Sequence, residues 1–186
     1  MDLEGVDVAF RYLALQQDGF TSTEIAECEM LLVASPEYLS RRPALRHPRD
    51  LNGNAHRCLV PNGPSPSTSP WVFTGPAGLI SIRTSSPFHV EDGDVLTDWV
   101  LEGKGIANRP RFEVQHLVDE GALAVVLTPF SLKSASLFVA YRQRGFYEPR
   151  LSKLVDNLVL HCRRQFNRPQ TSGGAHHHSA VETAQF

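Results

Sequence analysis

Between Phe88 and Pro110 the spacing of apolar residues changes twice, from strand to helix and back to strand. Within this stretch Val95, Leu96, Trp99 and Val100 fall at i, i+1, i+4 and i+5. That spacing lays one stripe of a 3.6-residue repeat against a sheet. Glu91, Asp92 and Asp94 crowd the predicted first turn, where open N–H groups and the positive dipole end favour carboxylates. Gly103 or Gly105 ends the helix, and Ile106 and Ala107 resume an extended run. A strand that runs into a helix N-terminus is where open α/β sheets bind ligands, so the pattern predicts a binding corner.

The same reading divides the rest of the chain. Val6 to Arg11 alternates as a short strand, and Cys28 to Ala34 reads as a nearly continuous apolar strand. Ser35, Pro36 and Glu37 give a hydroxyl cap, a first-turn proline and an early carboxylate, and Pro43 ends that helix. His47 to Gly53 predicts one helical turn, and Cys58 to Val60 a short strand. Pro61 to Pro70 is a loop by composition. Trp71 to Phe73 and Leu79 to Arg83 form a hairpin around the turn Gly75 to Gly78. Glu113 to Glu120 predicts a helix stopped by Gly121, and Ala122 to Leu127 and Ser136 to Tyr141 predict strands. Pro149 to Phe166 is the longest helix, with Leu151, Leu154, Val155, Leu158, Val159 and Cys162 as its apolar stripe. From Asn167 on, the chain has little to bury and reads as a disordered tail.

Composition narrows the class. A chain of 186 residues with 41% hydrophobic content can bury a core. A net charge of −2 argues against a chain built to coat nucleic acid. No apolar run approaches a membrane span of about 20 residues. The acidic N-terminus lacks a signal-peptide layout. Three widely spaced cysteines, Cys28, Cys58 and Cys162, read as reduced thiols of a cytoplasmic protein.

Three runs together resemble the C-terminal effector-binding domain of LysR-type transcriptional regulators. Gly5 to Arg11 resembles the family's Asp-(apolar)-Ala-(apolar)-Arg strand. Leu32 to Leu39, then Pro48 to Leu51 and His56 to Leu59, resembles the crossover into its second lobe. Val90 to Asp94 with Gly103 to Ala107 and Arg109-Pro110 resembles its second-lobe helix and the following strand. The likeness covers about Met1 to Arg164.

This resemblance implies a two-lobed α/β fold of the periplasmic-binding-protein-like type 2, with a small-molecule effector between the lobes. Residues 34–128 would be the second lobe. Residues 1–33 and 129–166 would make the first, followed by the tail at 167–186. The family's winged helix-turn-helix has no counterpart here, so the expectation is an N-terminally truncated chain with an incomplete first lobe. DNA would be reached only through that missing segment. Homo-oligomers are expected of intact relatives, with no cofactor and no membrane association.

The resemblance places Arg11 at a first-lobe strand end that often faces the cleft, where its planar donors could pair with a carboxylate. The plain alternative is a solvated strand-end arginine. Glu91 and Asp92 match the turn lining the cleft from the second lobe. A carboxylate at Glu91 would favour a cationic or hydroxylated ligand, whereas helix capping alone explains Asp92 and Asp94. His89 could titrate near neutrality, or face solvent from a strand.

Other candidates carry less. Gly103-Lys104-Gly105 lacks the rest of a phosphate loop. His176 to His178 form no defined metal shell, and His47, His56 and Cys58 lack a second ligand pair. The basic run Arg41, Arg42, Arg46, Arg49 and Arg57 reads as a solvated rim. No Gly-x-Ser-x-Gly elbow or other catalytic set assembles, so an enzyme is not expected. The expectation is an effector-sensing domain. The alternatives are a stand-alone solute-binding module and a truncated interaction partner of full-length regulators.

Overall fold

The computed structural model describes residues 8–12, 19–53, 55–60, 70–84, 92–142 and 149–166. The expected loop at 61–69, the tail, His89 and Glu91 lie outside the described residues. The chain divides into two units, one of residues 1–27 and 136–186, the other Cys28–Ala135.

In the first unit, β1 (Val8–Arg11), β10 (Ala135–Arg142) and β2 (Phe20–Cys28) form a three-stranded sheet in the order β1-β10-β2. β1 runs antiparallel to β10, with Val8 opposite Tyr141 and Arg11 opposite Phe138. Sequence reasoning missed most of β2. Its Thr21-Ser-Thr-Glu24 carries little apolar signal, and only Ile25 and Cys28 are fully buried.

The helix α4 spans Pro149–Phe166 as expected, but its apolar stripe is only partly covered. Val155 is buried, whereas Leu154 is 45% exposed. Three strands span roughly 10 Å across, while an 18-residue helix is about 27 Å long, so such a helix overhangs its sheet.

The second unit is built around a four-stranded sheet in the order β4-β7-β3-β8. These strands are β3 (Met30–Ala34), β4 (Cys58–Leu59), β7 (Ile106–Pro110) and β8 (Ala124–Val125). β7 is parallel to β4 and antiparallel to β3. The two-residue period splits these strands between two cores. Leu32, Ala34, Cys58 and Ile106 join Tyr38, Trp71, Phe73, Ile82, Leu127 and Leu132 on one face. Leu31, Val33, Leu59 and Ala107 join Leu96, Val100, Val114 and Leu123 on the other. Burial on both faces is why β3 reads as an unbroken apolar run rather than an alternating one.

The first face is covered by α1 (Pro36–Ser40), a 3-10 turn (Pro48–Asn52), and an antiparallel sheet. That sheet holds β5 (Trp71–Gly75), β6 (Gly78–Ile82) and β9 (Ser131–Leu132), in the order β6-β5-β9. Ser35 caps α1 by accepting from the Tyr38 N–H at 3.3 Å, as its sequence predicts. The helix already ends at Ser40, before Pro43. His47 caps the 3-10 turn through Nδ1, and Asp50 accepts from the N–H groups of Arg46 and His47 at 3.0 and 2.9 Å. The second face carries α2 (Gly93–Leu101) and α3 (Arg111–Asp119).

Two expectations in this unit need correction. The strand expected over Ala122 to Leu127 is limited to Ala124 and Val125. Leu127 takes φ 56° to bury its side chain, and its carbonyl accepts from the Phe130 N–H at 2.8 Å. Val95, assigned to the buried stripe of α2, is 38% exposed, while Leu96 and Val100 are buried. The i, i+1 pair is wider than the contact the sheet makes with the helix.

Gly103 ends α2 in the left-handed region at φ 71°. Gly105 serves a different need: a Cβ there would lie 2.6 Å from the Arg57 carbonyl oxygen and 2.9 Å from Leu59 Cγ. That carbonyl accepts from the Ile106 N–H at 2.9 Å, closing the β4–β7 junction. Gly105→Ala should therefore destabilise the chain by about 1–3 kcal/mol, read as a lower urea midpoint at an unchanged m-value.

His56 adds a pH dependence. It is buried, its Nδ1 has no hydrogen-bond partner, and its ring sits 6.3 Å from that of Tyr38. Burial holds its pKa below the usual 6.5, Asp50 opposes this, and the Arg42 charge adds to it. Arg42 itself stacks over Tyr38 at 5.4 Å and donates to the Ala55 carbonyl. A histidine with a lowered folded-state pKa binds its proton more readily when unfolded. Stability is then complete above about pH 6.5 and falls as the pH drops below it. Wild-type unfolding free energy should decline between pH 6.5 and 5, more steeply than that of His56→Gln. Equal slopes in the two proteins would remove His56 from the account.

Candidate functional site

The predicted helix start forms at Asp92, at the N-terminus of α2. Asp92 has extended backbone and caps the helix, its Oδ1 accepting from the N–H groups of Asp94 at 2.7 Å and Val95 at 3.3 Å. Sequence reasoning expected this capping role for Asp92. Asp94 is exposed in the first turn. Thr97 Oγ1 donates to the Gly93 carbonyl at 3.1 Å, binding the first turn to the second. At the far end Lys104 pairs with Glu102 and sits 5.2 Å over the Trp99 ring. That role fits a helix stop, not a phosphate loop.

The residue that sequence reasoning overlooked is Arg109. On β7 it follows Ala107 by two positions, so the strand period directs it to the face that carries α2 and α3. It is only 6% exposed, and its Nη2 donates to Glu113 in the first turn of α3. Its Nε is buried and has no partner. A Cβ on Gly93 would lie 2.8 and 2.9 Å from its two terminal nitrogens, so the guanidinium fills the space that a side chain at that position would occupy. A side chain there would make the end of the Arg109 side chain shift. The available signal was a charged residue at an inward position of a strand whose neighbours are apolar, four residues before a glutamate.

Of the other candidates, Arg11 ends β1 in the first unit, half-buried, with no side-chain partner among the described residues. It and Asp92 belong to different units. The basic run acts locally: Arg41 pairs with Glu37 at 2.5 Å, and the Arg57 N–H donates to the Tyr38 hydroxyl at 2.8 Å. Arg111 makes a bidentate pair with Glu29 at 2.6 and 2.7 Å, and its N–H donates to the Glu29 carbonyl. These bonds hold the start of α3 to the start of β3. Burial pushes the Cys58 thiol up to about 12, so it stays protonated and is no nucleophile. The first unit has a groove of about 390 Å³ beside α4, lined by Thr23, Tyr141, Val159 and Leu160. Arg163 borders it and donates to the Glu24 carbonyl at 2.9 Å.

Removing one partner of a buried ion pair costs more than removing both, because the survivor keeps an uncompensated charge. Glu113→Ala should destabilise the chain by about 3 kcal/mol, and Arg109→Leu/Glu113→Leu by distinctly less. Chemical denaturation of both variants checks this. A double variant as unstable as the single one would contradict it.

Residues 2–163 match the LysR substrate binding domain family. The HTH-type transcriptional activator TtdR of Escherichia coli is 25% identical over 166 residues, which cover 89% of this chain and 53% of TtdR. The E. coli HTH-type transcriptional regulator DmlR is 28% identical over 141 residues, covering 76% of this chain and 45% of DmlR. This chain thus spans about half the length of the curated relatives it matches. The regulatory domain of CrgA from Neisseria meningitidis superposes with a TM-score of 0.68 at 25% identity, covering 86% of this chain and 76% of that one. The effector domain of AmpR from Pseudomonas aeruginosa, at 16% identity and a TM-score of 0.63, covers 89% of this chain and 78% of its own and shares the fold. The fold is that of the two-lobed, periplasmic-binding-protein-like regulatory domains. By the match over nearly its whole described length, the chain belongs to the LysR substrate-binding domain family.

Proposed function

We propose that this chain senses a small-molecule effector on behalf of a LysR-type transcriptional regulator. The observation that carries the proposal is the family match over residues 2–163. On this reading the effector sits between the lobes formed by residues 34–128 and by residues 1–33 with 129–166. Arg11, His89, Glu91 and Asp92 line it. The output is transcriptional, not catalytic, because the matched relatives are HTH-type regulators. DNA is reached through a winged helix-turn-helix, homo-oligomers carry the signal, and the protein works in the cytoplasm. No helix among the described residues is long and apolar enough to cross a membrane.

A regulator of this kind responds only if its effector binds one arrangement more tightly than another. Ligand binding is thus the first requirement. Screening the purified chain against small metabolites by thermal unfolding should yield a saturable ligand with one site per chain. At a hundredfold excess over Kd that ligand should add about 2.7 kcal/mol of stability. Chemical turnover of the ligand, or tight salt-resistant binding of one DNA sequence by the chain alone, would contradict the proposal.

A further inference from the structure

β2 ends at Cys28 and β3 begins at Met30, so Glu29 is the one residue between two strands that belong to different sheets. The boundary between the two units falls beside it, between Glu27 and Cys28, and the chain crosses back between Ala135 and Ser136. A hinge is made of a few element-terminal residues whose φ and ψ absorb a change of direction. At the first crossing that role falls to Cys28 and Glu29, because the residues on either side are held in paired strands.

Glu29 is tied twice to the unit that follows it. Its carbonyl accepts from the Arg111 N–H at 2.8 Å, one residue beyond the pairing of Met30 with Pro110, so the bonding of β3 to β7 extends into the crossing. Its carboxylate accepts from Arg111 Nε and Nη2 at 2.6 and 2.7 Å. The fork restrains the direction of the Glu29 side chain, and the backbone bond restrains the plane of the peptide that joins Glu29 to Met30. The ψ torsion of Glu29 lies between those two groups, so it stays fixed while both bonds hold. Arg111 is held in its turn: Nη1 donates to Gln115 at 2.7 Å, and Gln115 Nε2 donates to Asp119 at 2.8 Å along α3.

The pair is open to solvent, with the side chains 59% exposed at Glu29 and 37% at Arg111, and exposed ion pairs add little to global stability. What it controls is direction. We propose that Arg111 clamps the first crossing, taking ψ of Glu29 out of the hinge and narrowing the range of angles open to the two units. Bending at this crossing is left to Cys28, which is buried and so resists it. The clamp needs no effector, so it stands or falls separately from the sensing role.

Amide residual dipolar couplings of the weakly aligned full chain test it. Each unit is fitted with its own alignment tensor, and the ratio of the smaller magnitude to the larger reports how freely the units turn. The wild-type ratio should lie near one. Glu29→Ala and Arg111→Ala should each lower it at least twofold, with urea midpoints close to that of the wild type. Glu29→Gln, which keeps the side-chain shape and loses the charged fork, should lower it as well. Arg41→Ala, which breaks the exposed pair with Glu37, should leave it unchanged. A ratio unmoved by the alanine variants, or lowered as much by Arg41→Ala, would overturn the clamp. A wild-type ratio already below about one half would do so too, because the units would then turn with the pair intact. If an alanine variant unfolds, Glu29→Gln decides, and a wild-type ratio in that protein overturns the proposal.

Discussion

The Arg109 side chain enters the helix-covered face of the central sheet where the first turns of α2 and α3 lie, each the positive end of a helix. A cation there costs roughly 0.3–1 kcal/mol for each helix end, beyond the larger cost of leaving water. The acidic residues around it answer that cost. Glu113 binds the guanidinium directly, and Asp92 turns its carboxylate onto the N–H groups of α2. Gly93 leaves the space that the guanidinium fills.

The surrounding fold keeps that unit in place. β7 joins two cores by strict alternation, with Ile106 on one side and Ala107 on the other. Gly105 lets its start lie against β4. The Arg111–Glu29 pair fixes its end by holding the start of α3 to the start of β3. Rigidity here comes from apolar packing on both sheet faces.

Much of this was legible in the sequence where local chemistry decides the structure. The Ser35 and Asp92 caps, the stop at Gly103, the hairpin around Gly75 to Gly78 and the span of α4 follow from residue type and spacing. The failures arise where tertiary partners decide. β2 is held by pairing in its sheet more than by its own polar residues, and Leu127 is drawn out of its strand to fill a core. Val95 was assigned to the core because a helix period does not report the width of the face it meets. Arg109 was read only as part of a family resemblance. A buried arginine looks like a solvated one until the groups around it are known.

The most direct test is to follow the Gly93, Asp94 and Val95 amides by NMR while a ligand found in the metabolite screen is titrated into the full chain. With Asp92 in the effector site, these resonances should move together and saturate at one ligand per chain. If binding saturates while they stay still, the effector does not lie at the start of α2, and that placement is wrong.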